Sequence, residues 1–368
     1  MDRTHRPAGD AAAADDAIRF AVEAAILAPS VHNTQPWWFG GAGPDRMDAG
    51  AGAGGRRISL HADVDRRLDV ADPDGREMLI SCGAALFTLR VAIRDLGHDP
   101  EVTVLPDPDR PSLLADVVFG TQVPRTEENT LLFQQIHRRR THRGAFRGDA
   151  VSSSLLATLR REVADEGAEL RVVGDDRARA ALGALTEAAD HVQRTVPAYR
   201  VETARWAPRP GAVRHDGVPE SAYPREPRRT EPHYPMRDFA HGQGWGTDAA
   251  EAEASRSEAS RSEAHEPGAD LVTGVVALLT TPGDLRADWL RAGQALQRLL
   301  LRASADDVSA AFHTQALEVP ELREFVRGRF CDGAHPQMLL RLGRPAWRPG
   351  DAYGAVRRPV ADVVADDR

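Results

Sequence analysis

Two seven-residue stretches 210 positions apart, Gly83-Ala-Ala-Leu-Phe-Thr-Leu89 and Gly293-Gln-Ala-Leu-Gln-Arg-Leu299, carry a glycine, an alanine and two leucines at identical spacing. The first lies in a segment of clear helical period, residues 76–96, with Leu79, Leu86, Leu89, Ile93 and Leu96 on one face. Each stretch is followed by an apolar run of strand character, Leu113 to Phe119 in one case and Met338 to Leu342 in the other. A chain of 368 residues exceeds the usual domain size of about 100–200 residues, so two related core-forming halves are the natural expectation. The same glycine pattern also serves any helix that approaches another backbone closely, so the repeat alone leaves duplication and coincidence both open.

Around these helices the chain divides by composition. Residues 17–28 have helical period and stop before Pro29. Residues 40–57 hold seven glycines among charged and turn-forming residues, which predicts a flexible hairpin tip between two strands and not a dinucleotide-binding loop. Residues 197–235 contain eight prolines, too many for regular structure, and are expected to form an extended arm laid over a surface, a candidate lid. Two tandem copies of Ser-Arg-Ser-Glu-Ala, starting at Ser255 and Ser260, have no large apolar side chain to bury and are expected to be mobile.

Composition excludes several classes of function. The formal charge is −8 and every one of the 47 basic residues is arginine, so the cationic face needed to release counterions from nucleic acid is not expected. Cys82 and Cys331 are far apart and form no Cys-x-x-Cys pair, which predicts neither a disulfide framework nor a metal site and fits a reducing cytoplasm. The first sixteen residues lack the apolar run of a signal peptide, and the most apolar segment, residues 271–281, is far shorter than the ~20 residues that span a bilayer. No Gly-x-Ser-x-Gly or His-Glu-x-x-His occurs, which argues against a hydrolase.

Three clusters can carry chemistry. In Ala28-Pro-Ser-Val-His-Asn-Thr-Gln-Pro-Trp37, the short donors and acceptors of Ser30, Asn33 and Gln35 sit between two prolines, suited either to the edge of a planar heterocycle or to a turn that satisfies its own backbone. His32, alone among them in its chemistry, is expected at the surface. Arg138-Arg-Arg-Thr-His-Arg143 follows a helical run, residues 131–136. Forked guanidinium donors concentrated there suit a phosphate, or else form a solvated basic face at a helix C-terminus. Arg357-Arg358-Pro359 by itself reads as an ordinary charged tail.

Together the three clusters resemble the nitroreductase family, most closely its Acg-like branch of long single chains. The resemblance covers about residues 17–150 and 271–364. It implies an α+β fold of two halves, each a mainly antiparallel sheet packed with helices, fused as a pseudo-dimer, with a first half at 1–125 and a second at 126–368 that includes the arm at 197–268. It implies FMN as cofactor, with Arg139, Arg140, Thr141 and Arg143 matching the family's phosphate stretch, Arg357 and Arg358 its C-terminal basic pair, and Pro29, Ser30, Val31 and Asn33, with Gln35 beside them, its flavin-facing loop. Residues 74–77 match a further flavin-contacting stretch loosely. Because the loop and the arginine stretch each occur once, in different halves, a single composite site follows. The resemblance further implies an oxidoreductase taking electrons from NAD(P)H to a small organic acceptor with no side-chain acid or base, as a monomeric pseudo-dimer or a homodimer. The alternative is a protein that sequesters FMN beneath the arm.

Overall fold

A computed structural model describes residues 8–41, 56–209, 211–224, 229–239, 271–347 and 356–365. The tandem Ser-Arg-Ser-Glu-Ala copies and most of the glycine-rich tip lie outside them. The first half runs α1 (Ala8–Ala25), β1 (Trp37–Gly40), β2 (Arg57–Ala62), α2 (Arg76–Asp95), β3 (His98–Val104) and β4 (Leu113–Gln122). After α3 (Glu127–Ile136) and β5 (Phe146–Arg147), the second half runs α4 (Ser153–Asp165), β6 (Glu169–Val172), α5 (Asp176–Thr195), α6 (Pro197–Arg205), β7 (Leu271–Val272), β8 (Val275–Thr281), α7 (Arg286–Ala305), β9 (Ser309–Phe312), α8 (Pro320–Phe330) and β10 (His335–Gly343). A last turn, α9 (Val360–Val363), follows.

The two main sheets have one topology. The first is ordered β1-β2-β4-β3 and the second β6-β8-β10-β9, with every neighbouring pair antiparallel. Each central pairing is interrupted by a register shift, at Leu60/His61 and at Pro336/Met338. In both halves a helix precedes the edge strand, and a long helix separates the first strand pair from the second. The α+β pair of halves is therefore a duplication, and the repeat in the sequence marks its centre.

The halves meet where α2 crosses α7. A Cβ built on Gly83 would stand 2.2 Å from the Leu290 carbonyl oxygen, and one built on Gly293 would stand 2.0 Å from the Ile80 carbonyl oxygen. Each clash falls on the residue three positions before the partner glycine, so the contact is reciprocal and follows the pseudo-two-fold relation. Only glycine lets two helix backbones come this close. Gln297 Nε2 donates to the Thr88 hydroxyl at 2.9 Å beside the crossing, satisfying a donor that apolar neighbours could not. Because α2 and α7 face a sheet on one side and each other on the other, α2 is buried almost all round, which its run of small and apolar residues permits. The cores also interlock: Leu290 and Leu301 of α7 join the first core, and Ile80 of α2 joins the second.

The expected boundary at 125/126 does not coincide with a division of the cores. Helix α3, capped by the Thr126 hydroxyl accepting from Asn129 N–H, puts Leu132 and Ile136 into the first core. The C-terminal residues also return there: Val363 is buried in it, Val364 bridges Phe39 in parallel, and Ala365 N–H donates to the Phe39 carbonyl.

The largest difference between the halves is what lies between paired strands. The first has the glycine-rich tip between β1 and β2. The second has α5, α6 and the proline-rich segment between β6 and β8. That segment is not irregular throughout, as its prolines predict: Pro197 opens α6, where a missing N–H costs nothing. Beyond α6 it lies on the first half, where Tyr199, Trp206, Val218, Ala222, Tyr223 and Phe239 form a core cluster with Leu68 and Ala71. Among the described residues no helix is long and apolar enough to cross a membrane.

The crossing supplies a test. Gly83→Ala or Gly293→Ala should destabilise the protein by about 2–3 kcal/mol or prevent folding, since the added carbon meets backbone that cannot step aside. Gly328→Ala, in α8 with nothing within 4 Å, should be neutral or stabilising by about 0.5–1 kcal/mol. Thermal melts of the three variants that shift alike would contradict the crossing.

Candidate functional site

The loop between α1 and β1 is held by three parts of the chain that are distant in sequence. From its own half, Ser81 Oγ accepts the Val31 N–H at 3.1 Å and Arg66 donates to the Thr34 carbonyl at 2.8 Å. From the arm, the His215 carbonyl accepts from Gln35 Nε2 at 2.7 Å and the Gly217 carbonyl from Asn33 Nδ2 at 3.0 Å. From the tail, Arg357 donates to Asn33 Oδ1 at 3.0 Å and to the Leu27 and Ala28 carbonyls, while Arg358 donates its backbone N–H to Gln35 Oε1 at 2.8 Å. Within the loop itself, Ser30 Oγ accepts the Gln35 N–H at 2.9 Å. These bonds hold His32, Asn33 and Gln35 at φ of 46°, 54° and 50°, a region that side chains other than glycine seldom adopt and that persists only when the surroundings fix it.

The arginine stretch leaves the end of α3 and runs along the second sheet. Thr141 bridges Ala310 of β9, and His142 N–H donates to the Ala310 carbonyl at 2.8 Å. This lays the stretch opposite the loop. Two adjoining cavities result. The smaller, of about 410 Å³, is lined by Arg139, Arg140, Thr141, Arg143 and Arg357 with Pro29, Ser30 and Asn33. The larger, of about 890 Å³, shares Pro29, Ser30, Thr141 and Arg143 with it. Its remaining wall comes from α2 (Glu77, Ile80, Ser81, Ala84), from α7 and β10 (Leu296, Met338), from residues 311–315 and from the arm (Val218, Tyr223, Met236, Arg237, Phe239). A cationic chamber thus opens onto a larger, mainly apolar one.

Nine of the eleven residues singled out in the sequence line one cavity or the other. Gln35 and Arg358 line neither. Gln35 is fully buried with its amide committed to the arm and the tail, and Arg358 donates to the Gln35 carbonyl and to Asp362 besides lying 3.4 Å from Asp63, so both act on the loop from behind. Arg357 borders the small cavity but spends donors on loop carbonyls, and Arg140 donates to the His137 and Arg139 carbonyls. Arg143 differs. Among the described residues its guanidinium makes no hydrogen bond or ion pair, it lies 5.6 Å over the Tyr223 ring, and it borders both cavities. A guanidinium without an acid partner at the mouth of a cationic chamber is the group best placed for an incoming anion.

Several lining residues gave no signal in the sequence. His32, expected at the surface, is buried, because the arm that covers it comes from the other half; its ring meets Phe239 edge-on at 4.9 Å. Burial, then the charges of Arg237 and Arg143, hold its pKa well below the ordinary histidine value. Arg237 donates to Glu318, which also accepts from Gln193, Tyr199 and Thr314, so one buried carboxylate ties α5, α6 and the arm to the turn after β9. Glu77, in the loosely matched stretch 74–77, does reach the large cavity. It is paired with Arg76 at 3.0 Å, and burial, reinforced by Glu318, pushes its carboxyl up to about 8. Arg76 in turn donates to the Gln337 carbonyl of β10 at 2.6 Å, tying the halves together beneath the cleft.

The pseudo-symmetric place is built differently. There, α4 passes to β6 through three residues, Glu166 to Ala168, where the first half has the eleven residues from Ile26 to Pro36. Arg291, which corresponds to Ser81, lies against Gly167. Arg298 pairs with Glu162, Asp165, Glu166 and Glu128, and Arg90 bridges Glu166 and Gln294. An ionic network stands where a second loop would.

No family model matches the chain. A protein of Mycobacterium tuberculosis provisionally named an NAD(P)H nitroreductase is 33% identical over 354 residues, covering 95% of this chain and 91% of the relative. The Acg protein of the same species, also provisionally named an NAD(P)H nitroreductase, is 28% identical over 354 residues, covering 95% of each. Among solved structures, the FMN-dependent nitroreductase NfnB of Mycobacterium smegmatis in complex with NADPH matches 65% of this chain and 99% of its own at 16% identity and a TM-score of 0.34, too loose a superposition to carry an argument. The similarity to the curated relatives runs through both halves and the segments that join them, and the chain belongs to the nitroreductase family, in its Acg-like branch of long single chains.

Proposed function

We propose that the chain binds one FMN across the two cavities and uses it as an oxidoreductase, with electrons from NAD(P)H passing to a small organic acceptor. One observation carries this reading: a chamber lined by four arginines opens directly onto a flat, mainly apolar cleft, the polarity that a molecule with a phosphate at one end and a planar ring at the other requires. Arg143, Arg139 and Thr141 would hold the phosphate, with Arg140 and Arg357 adding charge. Pro29, Ser30 and Val31 would border the ring on one side and Ile80, Ala84, Leu296 and Met338 on the other. When bound, the cofactor supplies the hydride chemistry, and the protein supplies binding and orientation. The walls exclude water, and Glu77 keeps a proton on its carboxyl near neutral pH at the edge of the cleft.

The arm supports a second reading, sequestration of the flavin. Val218, Tyr223, Met236, Arg237 and Phe239 all contribute to the roof of the cleft, and Glu318 fastens that roof through Arg237 and Tyr199. Under the oxidoreductase reading these residues complete the acceptor pocket, and loosening them slows turnover. Under sequestration they keep nicotinamide out, and loosening them speeds reduction.

Two experiments follow. Arg143→Ala should weaken FMN by about ten- to a hundredfold, the loss of a charge-assisted bond of roughly 1.5–3 kcal/mol, and riboflavin should bind the parent protein poorly. Equal affinity for FMN and riboflavin, measured by fluorescence titration, would overturn the phosphate assignment. In the second, NADPH is added anaerobically to the FMN-loaded protein and to Tyr223→Ala. The oxidoreductase reading expects the parent to bleach and the variant to turn over more slowly. A parent that stays yellow, with a variant that bleaches, would establish sequestration instead.

A further inference from the structure

His32 is the least satisfied polar side chain in the cleft. It is 8% exposed, and among the described residues neither ring nitrogen has a hydrogen-bond partner. Across from it, Arg237 directs Nη2 to Glu318, while its buried Nη1 has no partner. Both side chains line the same cavity, His32 from the loop of the first half and Arg237 from the arm of the second. Buried polar groups are almost always paired, so two unpaired ones facing one apolar cleft mark where a ligand's polar atom belongs. The imidazole is kept neutral by burial and by the two arginines, so it offers one N–H donor and one lone pair. Arg237 offers donors alone. The group that satisfies both is an oxygen acceptor without a proton of its own, and the apolar walls ask that it sit on a planar, carbon-rich skeleton.

We propose that His32 and Arg237 form a two-donor site for a carbonyl-type oxygen, which makes them specificity-determining residues for a quinone-like acceptor held between the loop and the arm. The inference rests on the FMN reading above. The same chemistry could come from a carbonyl of the flavin itself, and the test separates the two sources. Neither residue takes part in bond breaking; they bind and orient an oxygen.

The experiment uses the full chain loaded with oxidised FMN, in parent, His32→Phe and His32→Asn forms. Phenylalanine keeps the ring contact with Phe239 but has no donor. Asparagine tolerates the left-handed backbone and restores one. Thermal melts confirm that each variant is folded. FMN affinity is measured first, and then naphthoquinone and naphthalene, which share a skeleton and differ in their oxygens, are titrated against the flavin spectrum. Naphthoquinone should bind the parent at least about tenfold tighter than naphthalene, His32→Phe should level that preference with FMN affinity unchanged, and His32→Asn should recover most of it. If His32→Phe instead weakens FMN about tenfold and leaves the quinone preference intact, the oxygen is the flavin's own and the two-donor site stands with that ligand. If His32→Phe changes neither, the proposal fails while the FMN reading survives. A parent that binds no FMN refutes that reading, and the proposal falls with it.

Discussion

The contact on which the rest of the molecule depends is the crossing of α2 and α7 at Gly83 and Gly293. Two helix backbones this close leave no room for a methyl group on either side, and the helices then share one apolar layer between two sheets. From that single distance follow the interlocked cores and the position of the cleft, which lies beside the crossing with Ile80 and Ala84 on one wall and Leu296 on another. In separate subunits this arrangement would be a two-fold interface with two equivalent sites. Fusion removes the requirement that they stay equivalent. One place keeps a long loop clamped by the arm and the tail; the other has a three-residue turn and a network of ion pairs around Arg298 and Arg90.

The loop shows how position in the fold decides what a residue can do. Asn33, Gln35, Arg357 and Arg358 look in sequence like ligand-binding groups. In the structure their donors and acceptors close a circuit among themselves, the arm and the tail. That circuit holds three consecutive or near-consecutive non-glycine residues at positive φ, and so presents Pro29, Ser30, Val31 and His32 to the cleft. Arg143, the last of its stretch, is by contrast the arginine left without an acid, and the hydrogen-bonded role of its neighbours is what allows it to be so.

The sequence made the fold legible where local period and packing agree. Helix α2, strands β4 and β10 and the duplicated glycine helix follow from apolar spacing alone, because what they bury is set by their own residues. The proline-rich segment was only half legible. Its prolines exclude long regular elements, yet Pro197 sits where a helix begins, and the Trp206, Tyr223 and Phe239 side chains fold down onto Leu68 and Ala71, partners more than a hundred residues away. The same distance hid the site's roof. Nothing near Arg237 announces that Glu318 will hold it, and nothing near His32 announces that Phe239 will cover it. Contacts made by a long insertion across a pseudo-dimer leave no local pattern.

The central claim is that the duplication builds one composite site, with its loop from one half and its arginines from the other. The most direct measurement is the amount of FMN released per chain after saturation and removal of free flavin. The account predicts one FMN per chain, lost in Arg143→Ala. A ratio near two would mean that the ionic network around Arg298 does not close the second place, and the composite-site account would be wrong.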